Sequence, residues 1–239
     1  MIILSFDVGI KNMAYCIVKF NEKTDYNHAI LKWNIINCAE NILNNNLKCC
    51  VSRKGLLCNK DACNQVSING AILGFCNLKT CQKELHTNYS NKNIKKVTKK
   101  TTKDISLKDL GDVLFNELNN IPLTDIDCIV IENQPALKNP TMKSLQIMLF
   151  SFFLYKKPKN NPDLVFFNAS NKLKIYTGPE INTSHIKNKY NQRKFKSIKI
   201  TEFMLEKYNI DKLHYFKSNN KKDDLSDCYM QCLTYYYYK

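Results

Sequence analysis

Residues 2–12 read IILSFDVGIKN, and the fold prediction depends on this stretch. The five residues before Asp7 are apolar on both faces of an extended chain, which is typical of a central strand buried between two layers. Gly9 then permits a tight turn. A carboxylate at the end of a buried strand is strongly unfavourable unless a positive group meets it. The stretch therefore predicts a central strand that ends on a functional acid.

Two other segments offer acids in comparable settings. Residues 128–135, CIVIENQP, form a short apolar run that ends on Glu132, and residues 221–231, KKDDLSDCYMQ, place Asp224 and Asp227 on one face of a helix. If the two strands lie side by side and parallel, Asp7 and Glu132 leave the sheet at the same end. A helix over that end would gather four carboxylates, which would raise one another's pKa values.

Divalent cations resolve such a repulsion. Mg²⁺ and Mn²⁺ take oxygen ligands, and two such ions about 4 Å apart can activate a water and stabilise the leaving oxygen of a phosphodiester. Each acid alone also has an ordinary interpretation as a turn or helix-cap residue, and Asp223 with Asp224 would suit a helix N-terminus. The combination favours a metal site, with Asp223 as a neighbour of undefined role.

The composition restricts the class of partner. The chain has 239 residues with 36 Lys and Arg against 21 Asp and Glu, a formal charge of +15. This excess favours a polyphosphate partner over a merely solubilising surface. No apolar run reaches the roughly 18 residues of a membrane span and no signal-peptide pattern is present, so we expect an intracellular protein without a membrane partner. The 11 cysteines then indicate thiols or a metal site rather than disulfides.

Apolar periodicity predicts the order of elements. We expect strands at 2–6, 13–20, 29–36, 128–131 and 164–167, and helices at 107–118, after Pro140, at 187–208 and at 223–237. This order predicts an α/β fold, a mixed five-stranded sheet with helices on both faces. Residues 1–43 and 104–239 would form this domain, interrupted by a cysteine-rich insertion at 44–86 and a basic linker at 87–103.

The insertion contains a candidate zinc site. Zinc needs four nitrogen or sulfur ligands in a tetrahedron, and the predicted set is Cys50, Cys58, Cys76 and Cys81. Cys49, Cys63 and His86 are substitutes. The alternative is that these cysteines act as small apolar residues. Zinc is favoured because a segment with so few large apolar side chains needs another source of folding energy.

Four segments together resemble a known family. FDVGIKNMA at 6–14, IENQP at 131–135, NASNKL at 168–173 and KKDDLSD at 221–227 are similar to motifs of the RuvC-type Holliday junction resolvases, in the RNase H-like superfamily. The likeness is greatest to the branch found in poxviruses and other large DNA viruses. It covers most of the chain outside 44–103, and the compact poxvirus resolvases lack the insertion.

The resemblance implies a homodimer that binds four-way DNA junctions and resolves them by paired symmetric nicks with Mg²⁺, for which Mn²⁺ may substitute. The metal-binding and catalytic acids would be Asp7, Glu132, Asp224 and Asp227. The helix around 145–153 would contribute to the dimer interface. The setting would be viral DNA replication and recombination, in the host cytoplasm or nucleus.

Several basic residues are candidates for DNA contact, although a solvated surface position is the ordinary interpretation of any single lysine. The predicted contacts are Lys11, Lys138, Lys143, Lys172, Arg193, Lys194 and Lys222.

Two other functions remain open at this point. The first is another RNase H-like nuclease, of the transposase or hybrid-cleaving kind, and the second is a non-catalytic, zinc-stabilised DNA-binding protein. An actin-like or sugar-kinase ATPase is disfavoured because the chain has only 6 glycines and no second Gly-rich loop.

Overall fold

The structure is a computed structural model that describes residues 1–21, 27–44, 46–98, 100–137 and 139–238. These residues form ten strands: β1 (Ile2–Asp7), β2 (Met13–Phe20), β3 (His28–Ile36), β4 (Ser52–Arg53), β5 (Leu56–Leu57), β6 (Asn64–Ile68), β7 (Ala71–Phe75), β8 (Ile94–Lys96), β9 (Cys128–Glu132) and β10 (Asp163–Phe167). The helices among them are α1 (Glu40–Asn44), α2 (Lys79–Asn88), α3 (Leu107–Asn119), α4 (Pro140–Lys156), α5 (Lys189–Tyr208), α6 (Ile210–Ser218) and α7 (Lys222–Tyr238).

The main sheet has five strands in the order β10-β9-β1-β2-β3. Strands β1, β2 and β3 pair antiparallel as a meander, whereas β9 runs parallel to both β1 and β10. Phe6 lies opposite Ile131 in the β1–β9 register. The predicted mixed sheet is therefore confirmed, and its two acid-bearing strands are parallel neighbours.

Helices cover both faces of this sheet. Successive side chains of β1 point to opposite faces, so Ile3 packs in a cluster with α7 while the Phe6 ring lies 5.6 Å from the Phe153 ring of α4. Both side chains are fully buried. The prediction of helices on both faces is confirmed.

Helix α7 is the central helix of the fold. It begins with Asp223 and Asp224 in its first turn, where negative charge suits the helix dipole, and nearly all of its later residues are buried. The Trp33 indole of β3 donates to the Leu225 carbonyl at 3.1 Å, and the Trp33 ring stacks on Phe216 of α6. These contacts fix the start of α7 against the sheet.

The chain divides into two compact units, one of Met1–Cys38 with Ser106–Lys239 and one of Ala39–Ile105. The second unit has its own three-stranded sheet, β7-β6-β8, and a β4–β5 hairpin. The structure differs here from the predicted linker at 87–103, because α2 continues to Asn88 and β8 pairs antiparallel with β6. Ile94 lies opposite Val66, an apolar pair that the basic composition of the segment concealed.

Among the described residues, no helix has both the length and the apolar character needed to cross a membrane.

Candidate active site

Two acids lie at the same edge of the main sheet. Asp7 is the last residue of β1 and Glu132 the last of β9, and the parallel register of these neighbouring strands brings both carboxylates to one end. Asp7 is only 8% exposed. The sheet itself thus forms one wall of a buried acidic site.

A buried lysine sits among the acids. Lys172 follows the short 3-10 turn after β10, and it is 3% exposed. Its Nζ lies 2.6 Å from Asp7 Oδ1, 3.0 Å from Glu132 Oε1 and 3.3 Å from Asp227 Oδ2. One ammonium therefore contacts carboxylates from two strands and one helix.

The charges of the site do not balance. Burial raises the pKa of Asp7 to about 7, despite the attraction of Lys172, and burial with repulsion from Asp223 and Asp7 raises the pKa of Asp224 to about 7. Burial alone would lower the pKa of Lys172, but its acidic neighbours outweigh this and raise it well above the usual value. A single lysine is too little positive charge for these acids, so the site favours additional cations.

One face of α7 builds the other wall of the site. Asp224, Asp227, Gln231 and Thr234 recur at helical spacing, three or four residues apart. Gln231 Nε2 donates to Ser5 Oγ and to the carbonyls of Phe6 and Val130 at 3.0–3.3 Å. Thr234 Oγ1 donates to the Lys172 carbonyl at 2.8 Å. The same helix face therefore carries two acids, binds both acid-bearing strands and holds the lysine backbone.

Further polar residues hold the acids in place. Ser197 Oγ of α5 donates to Asp227 Oδ1 at 2.8 Å, and Gln134 Nε2 donates to Glu132 Oε2 at 2.5 Å. Gln146 of α4 accepts from the Gln134 backbone N–H at 2.7 Å. Sequence reasoning missed these residues together with Gln231 and Thr234. The helical spacing from Asp227 was a usable signal for the last two alone.

The predicted DNA contacts have different surroundings. Lys11 and Arg193 are exposed, and Lys222 is partly buried. Lys143 donates to Asn133 and Gln146, while Lys194 pairs with Asp223 and lies 4.9 Å from the Tyr190 ring centroid. Lys138 lies outside the described residues.

Lys172 requires a correction. It was predicted as a phosphate contact, but its ammonium is buried and surrounded by three carboxylates, so it is not a surface group that DNA reaches in this arrangement.

The donor set fits divalent metal ions. The site consists of carboxylate oxygens, the ligands that Mg²⁺ and Mn²⁺ prefer. A cationic group already lies at the point where Asp7, Glu132 and Asp227 converge. Asp7, Glu132, Asp224 and Asp227 are the residues that would hold such ions.

A second potential metal centre lies in the other unit. The sulfur atoms of Cys49, Cys58, Cys76 and Cys81 all lie within 4.8 Å of one another. This cluster shares three members with the predicted set and contains Cys49 in place of Cys50. Cys49 forms an isolated bridge with Gly74 in extended backbone, where adjacent side chains point to opposite sides.

Comparison with known proteins identifies a matching family. The family described as mitochondrial resolvase Ydc2 / RNA splicing MRS1 matches residues 3–136, more than half of the chain. An uncharacterized protein of Acanthamoeba polyphaga mimivirus is 28% identical, over 97% of this chain and 73% of its own length. The family match includes Asp7 and Glu132 and ends before Lys172 and the acids of α7.

Three solved structures show a distant likeness. The fowlpox virus resolvase in complex with substrate Holliday junction DNA is 16% identical, with 98% of this chain and 96% of that chain covered and a TM-score of 0.47. The yeast mitochondrial Holliday junction resolvase Ydc2 is 16% identical, with 98% and 76% covered and a TM-score of 0.47. Thermus thermophilus RuvC is 8% identical, with 100% and 95% covered and a TM-score of 0.49.

Replacing the buried lysine tests the charge balance of the site. Lys172→Met leaves three carboxylates without their common cation, so we expect a loss of about 3–5 kcal/mol in unfolding free energy near neutral pH without divalent ions. The loss should shrink as the pH falls, because the raised carboxyl pKa values let the acids take up protons in the folded state. Added Mg²⁺ should restore part of the lost unfolding free energy. Thermal and urea unfolding at several pH values measures both effects.

Lys194→Met is the matched control, since Lys194 pairs with Asp223 in a more exposed setting and should cost much less. Equal losses in the two variants, or no response of Lys172→Met to pH and Mg²⁺, would contradict the charge balance described here.

Proposed function

The chain belongs to the mitochondrial resolvase Ydc2 / RNA splicing MRS1 family, and on this premise we propose that it is a metal-dependent endonuclease that resolves four-way DNA junctions. One observation carries the proposal. Carboxylates from β1, β9 and α7 converge on a single buried cation. Such an arrangement is costly for folding alone and suits the binding of divalent ions beside a phosphodiester.

The cofactor in this proposal is Mg²⁺, with Mn²⁺ as a substitute, held by Asp7, Glu132, Asp224 and Asp227. When bound, these ions supply activation of the attacking water and stabilisation of the leaving oxygen. Gln134 and Ser197 orient the Glu132 and Asp227 carboxylates, and Gln231 fixes the spacing of the two strands. Lys172 keeps three of the acids gathered before metal binds. The predicted ligands of the structural Zn²⁺ belong to the other unit, Ala39–Ile105.

The proposed substrate is branched DNA. The formal charge of +15 supports a polyanionic partner, and recognition of a junction relies mainly on backbone and shape contacts, for which Lys and Arg suffice. Exposed Lys11, four residues after Asp7, and exposed Arg193, on α5 with Ser197, are proposed phosphate contacts. Partly buried Lys222, two residues before Asp224 on α7, is another. The expected setting, viral DNA replication in the host cytoplasm or nucleus, stays a prediction.

The proposed assembly is a homodimer. A junction has approximate two-fold symmetry, and an isologous dimer presents one active site to each of two opposed strands. Within the predicted interface at 145–153, Leu145, Leu149, Phe152 and Phe153 are buried in their own chain. The apolar side chains that α4 exposes are Ile147, Leu154 and Tyr155. We therefore place the proposed interface on these three residues.

A second candidate function has its own support. The family's description also names an RNA splicing protein, and Lys172 partly neutralises the acids without any metal. A non-catalytic nucleic-acid-binding protein would show junction or RNA binding without Mg²⁺-dependent cleavage. Cleavage of RNA–DNA hybrids with no action on junctions would indicate another RNase H-like nuclease.

Neighbouring acids on α7 provide the test of catalysis. Asp227→Asn should lower the rate of Mg²⁺-dependent cutting of a labelled four-way junction by about 100-fold or more, since it removes a metal-binding carboxylate. Asp223→Asn should change the rate only a few-fold, because Asp223 pairs with Lys194 instead of Lys172. A gel assay with single-turnover kinetics measures both, alongside junction binding by fluorescence anisotropy.

Junction binding should persist in both variants, because it depends on the basic surface. Equal cutting by Asp227→Asn and the unmodified protein would refute the nuclease assignment. Junction binding without Mg²⁺-dependent cutting in the unmodified protein would favour the non-catalytic candidate.

The proposed interface is tested by a charge on the exposed face of α4. Leu154→Glu should shift the protein from dimer to monomer in sedimentation velocity, because it buries a carboxylate in an apolar contact. Leu107→Glu on α3, which also replaces an exposed leucine, is the control and should leave the dimer intact. A monomeric unmodified protein, or dimers in both variants, would exclude this interface.

A further inference from the structure

The unit Ala39–Ile105 has too small an apolar core for its length. Among its described residues, the buried cluster consists of seven side chains, and three of these are Cys49, Cys76 and Cys81. The other members are Val51, Val66, Phe75 and Leu85. Domains of this size with so few large buried side chains commonly need a disulfide or a metal to fold.

Disulfides do not supply the missing stability. All eleven cysteines are free, and the Sγ atoms of Cys58 and Cys76 lie 3.6 Å apart, far beyond the roughly 2.05 Å of a disulfide bond. The Cys81 to Cys58 sulfur distance is 3.9 Å. Four zinc-bound thiolates at about 2.3 Å from the metal form a tetrahedron with edges of about 3.8 Å. These two sulfur spacings match that edge, and all four sulfur atoms lie within 4.8 Å of one another.

Four separate places in the unit supply the thiols. Cys49 precedes β4 and Cys58 follows β5, and the two-residue turn Lys54–Gly55, with positive φ at both residues, folds this hairpin so that the two cysteines approach. Cys49 N–H donates to the Lys60 carbonyl, which extends the pairing to the cysteines. Cys76 follows β7 directly, and Cys81 lies in the first turn of α2. The set is thus held by two hairpins and one helix.

Polar groups lie around the sulfurs. The backbone of Lys60 lowers the pKa of the Cys58 thiol, whereas burial raises the pKa of Cys49 despite the opposing effect of the Val51 and Cys76 backbones. The Arg53 guanidinium donates to Cys81 Sγ at 3.5 Å. Four thiolates with one Zn²⁺ carry a net charge of −2, which this guanidinium partly offsets.

The other candidate ligands point elsewhere. Cys63 Sγ donates to Asn77 Oδ1 at 2.7 Å, and His86 Nδ1 is paired with Asn91 in an exposed position. Cys50, the predicted ligand, lies outside the group of four.

We propose that Cys49, Cys58, Cys76 and Cys81 bind one structural Zn²⁺ that holds the unit Ala39–Ile105 in its folded state. A closed set of four thiolates leaves no position for a substrate, so the role is structural and not catalytic. The site is independent of the nuclease proposal, because its four ligands all belong to the other unit.

Metal content is the direct test. The full chain, purified without metal-affinity resin or added chelator, should contain one zinc per chain by mass spectrometry of the elements. X-ray absorption at the zinc edge should show four sulfur neighbours at about 2.3 Å. Absence of zinc together with failure to bind added Zn²⁺ would overturn the proposal, as would iron in its place or a first shell containing nitrogen.

Adjacent cysteines give a matched pair of variants. Cys49→Ser should lose most of the zinc, whereas Cys50→Ser and Cys63→Ser should keep it at the level of the unmodified chain. The reverse pattern would overturn this ligand set. If Cys49→Ser does not fold, the absorption measurement on the unmodified protein decides the matter by itself.

Limited proteolysis tests the structural role. Removing zinc with a strong chelator should bring new cleavage sites within 39–105 while 106–239 stays resistant, and added Zn²⁺ should reverse the effect. An unchanged cleavage pattern after complete removal of zinc would show that the metal does not hold the unit folded.

Discussion

Carboxylates gathered at the end of a buried sheet need a cation, and this requirement governs the larger unit. The parallel pairing of β1 and β9 brings Asp7 and Glu132 to one edge, and α7 adds Asp227. Lys172 meets all three, yet the pKa of Asp7 is still raised to about 7 by its burial. Folding alone gives no reason to assemble so many acids, whereas binding of divalent ions does.

Helix α7 joins the core to the site. Its buried residues pack against the sheet, and its first two turns carry Asp224 and Asp227. Gln231 binds the backbone of both acid-bearing strands, and Thr234 holds the backbone of Lys172. Displacement of this helix would therefore move Asp224 and Asp227 and break its contacts with both acid-bearing strands and with the Lys172 backbone. The stability of the core and the geometry of the acids are thus physically coupled.

The sequence was sufficient for features that depend on local pattern. The apolar runs predicted β1, β2, β3, β9 and β10 to within two residues. Strands β1, β2 and β9 are buried on both faces and are therefore continuously apolar, and β3 and β10 are rich in β-prone residues. Features that depend on tertiary contacts could not be predicted from the sequence. Helix α6 was not predicted beside α5. The burial of Lys172 results from its contacts with three carboxylates. The presence of Cys49 rather than Cys50 in the cysteine cluster depends on which side of an extended segment faces inward. Spacing along the chain contains none of this information.

The most direct test of the central claim is a crystal structure of the protein soaked in Mn²⁺, with anomalous diffraction recorded at the manganese absorption edge. The account predicts an anomalous peak at the carboxylates of Asp7, Glu132 and Asp227, with the Lys172 ammonium moved from its present contacts. Manganese bound only elsewhere, with Lys172 still contacting all three carboxylates, would contradict it and would leave the acids as a structural ion-pair network.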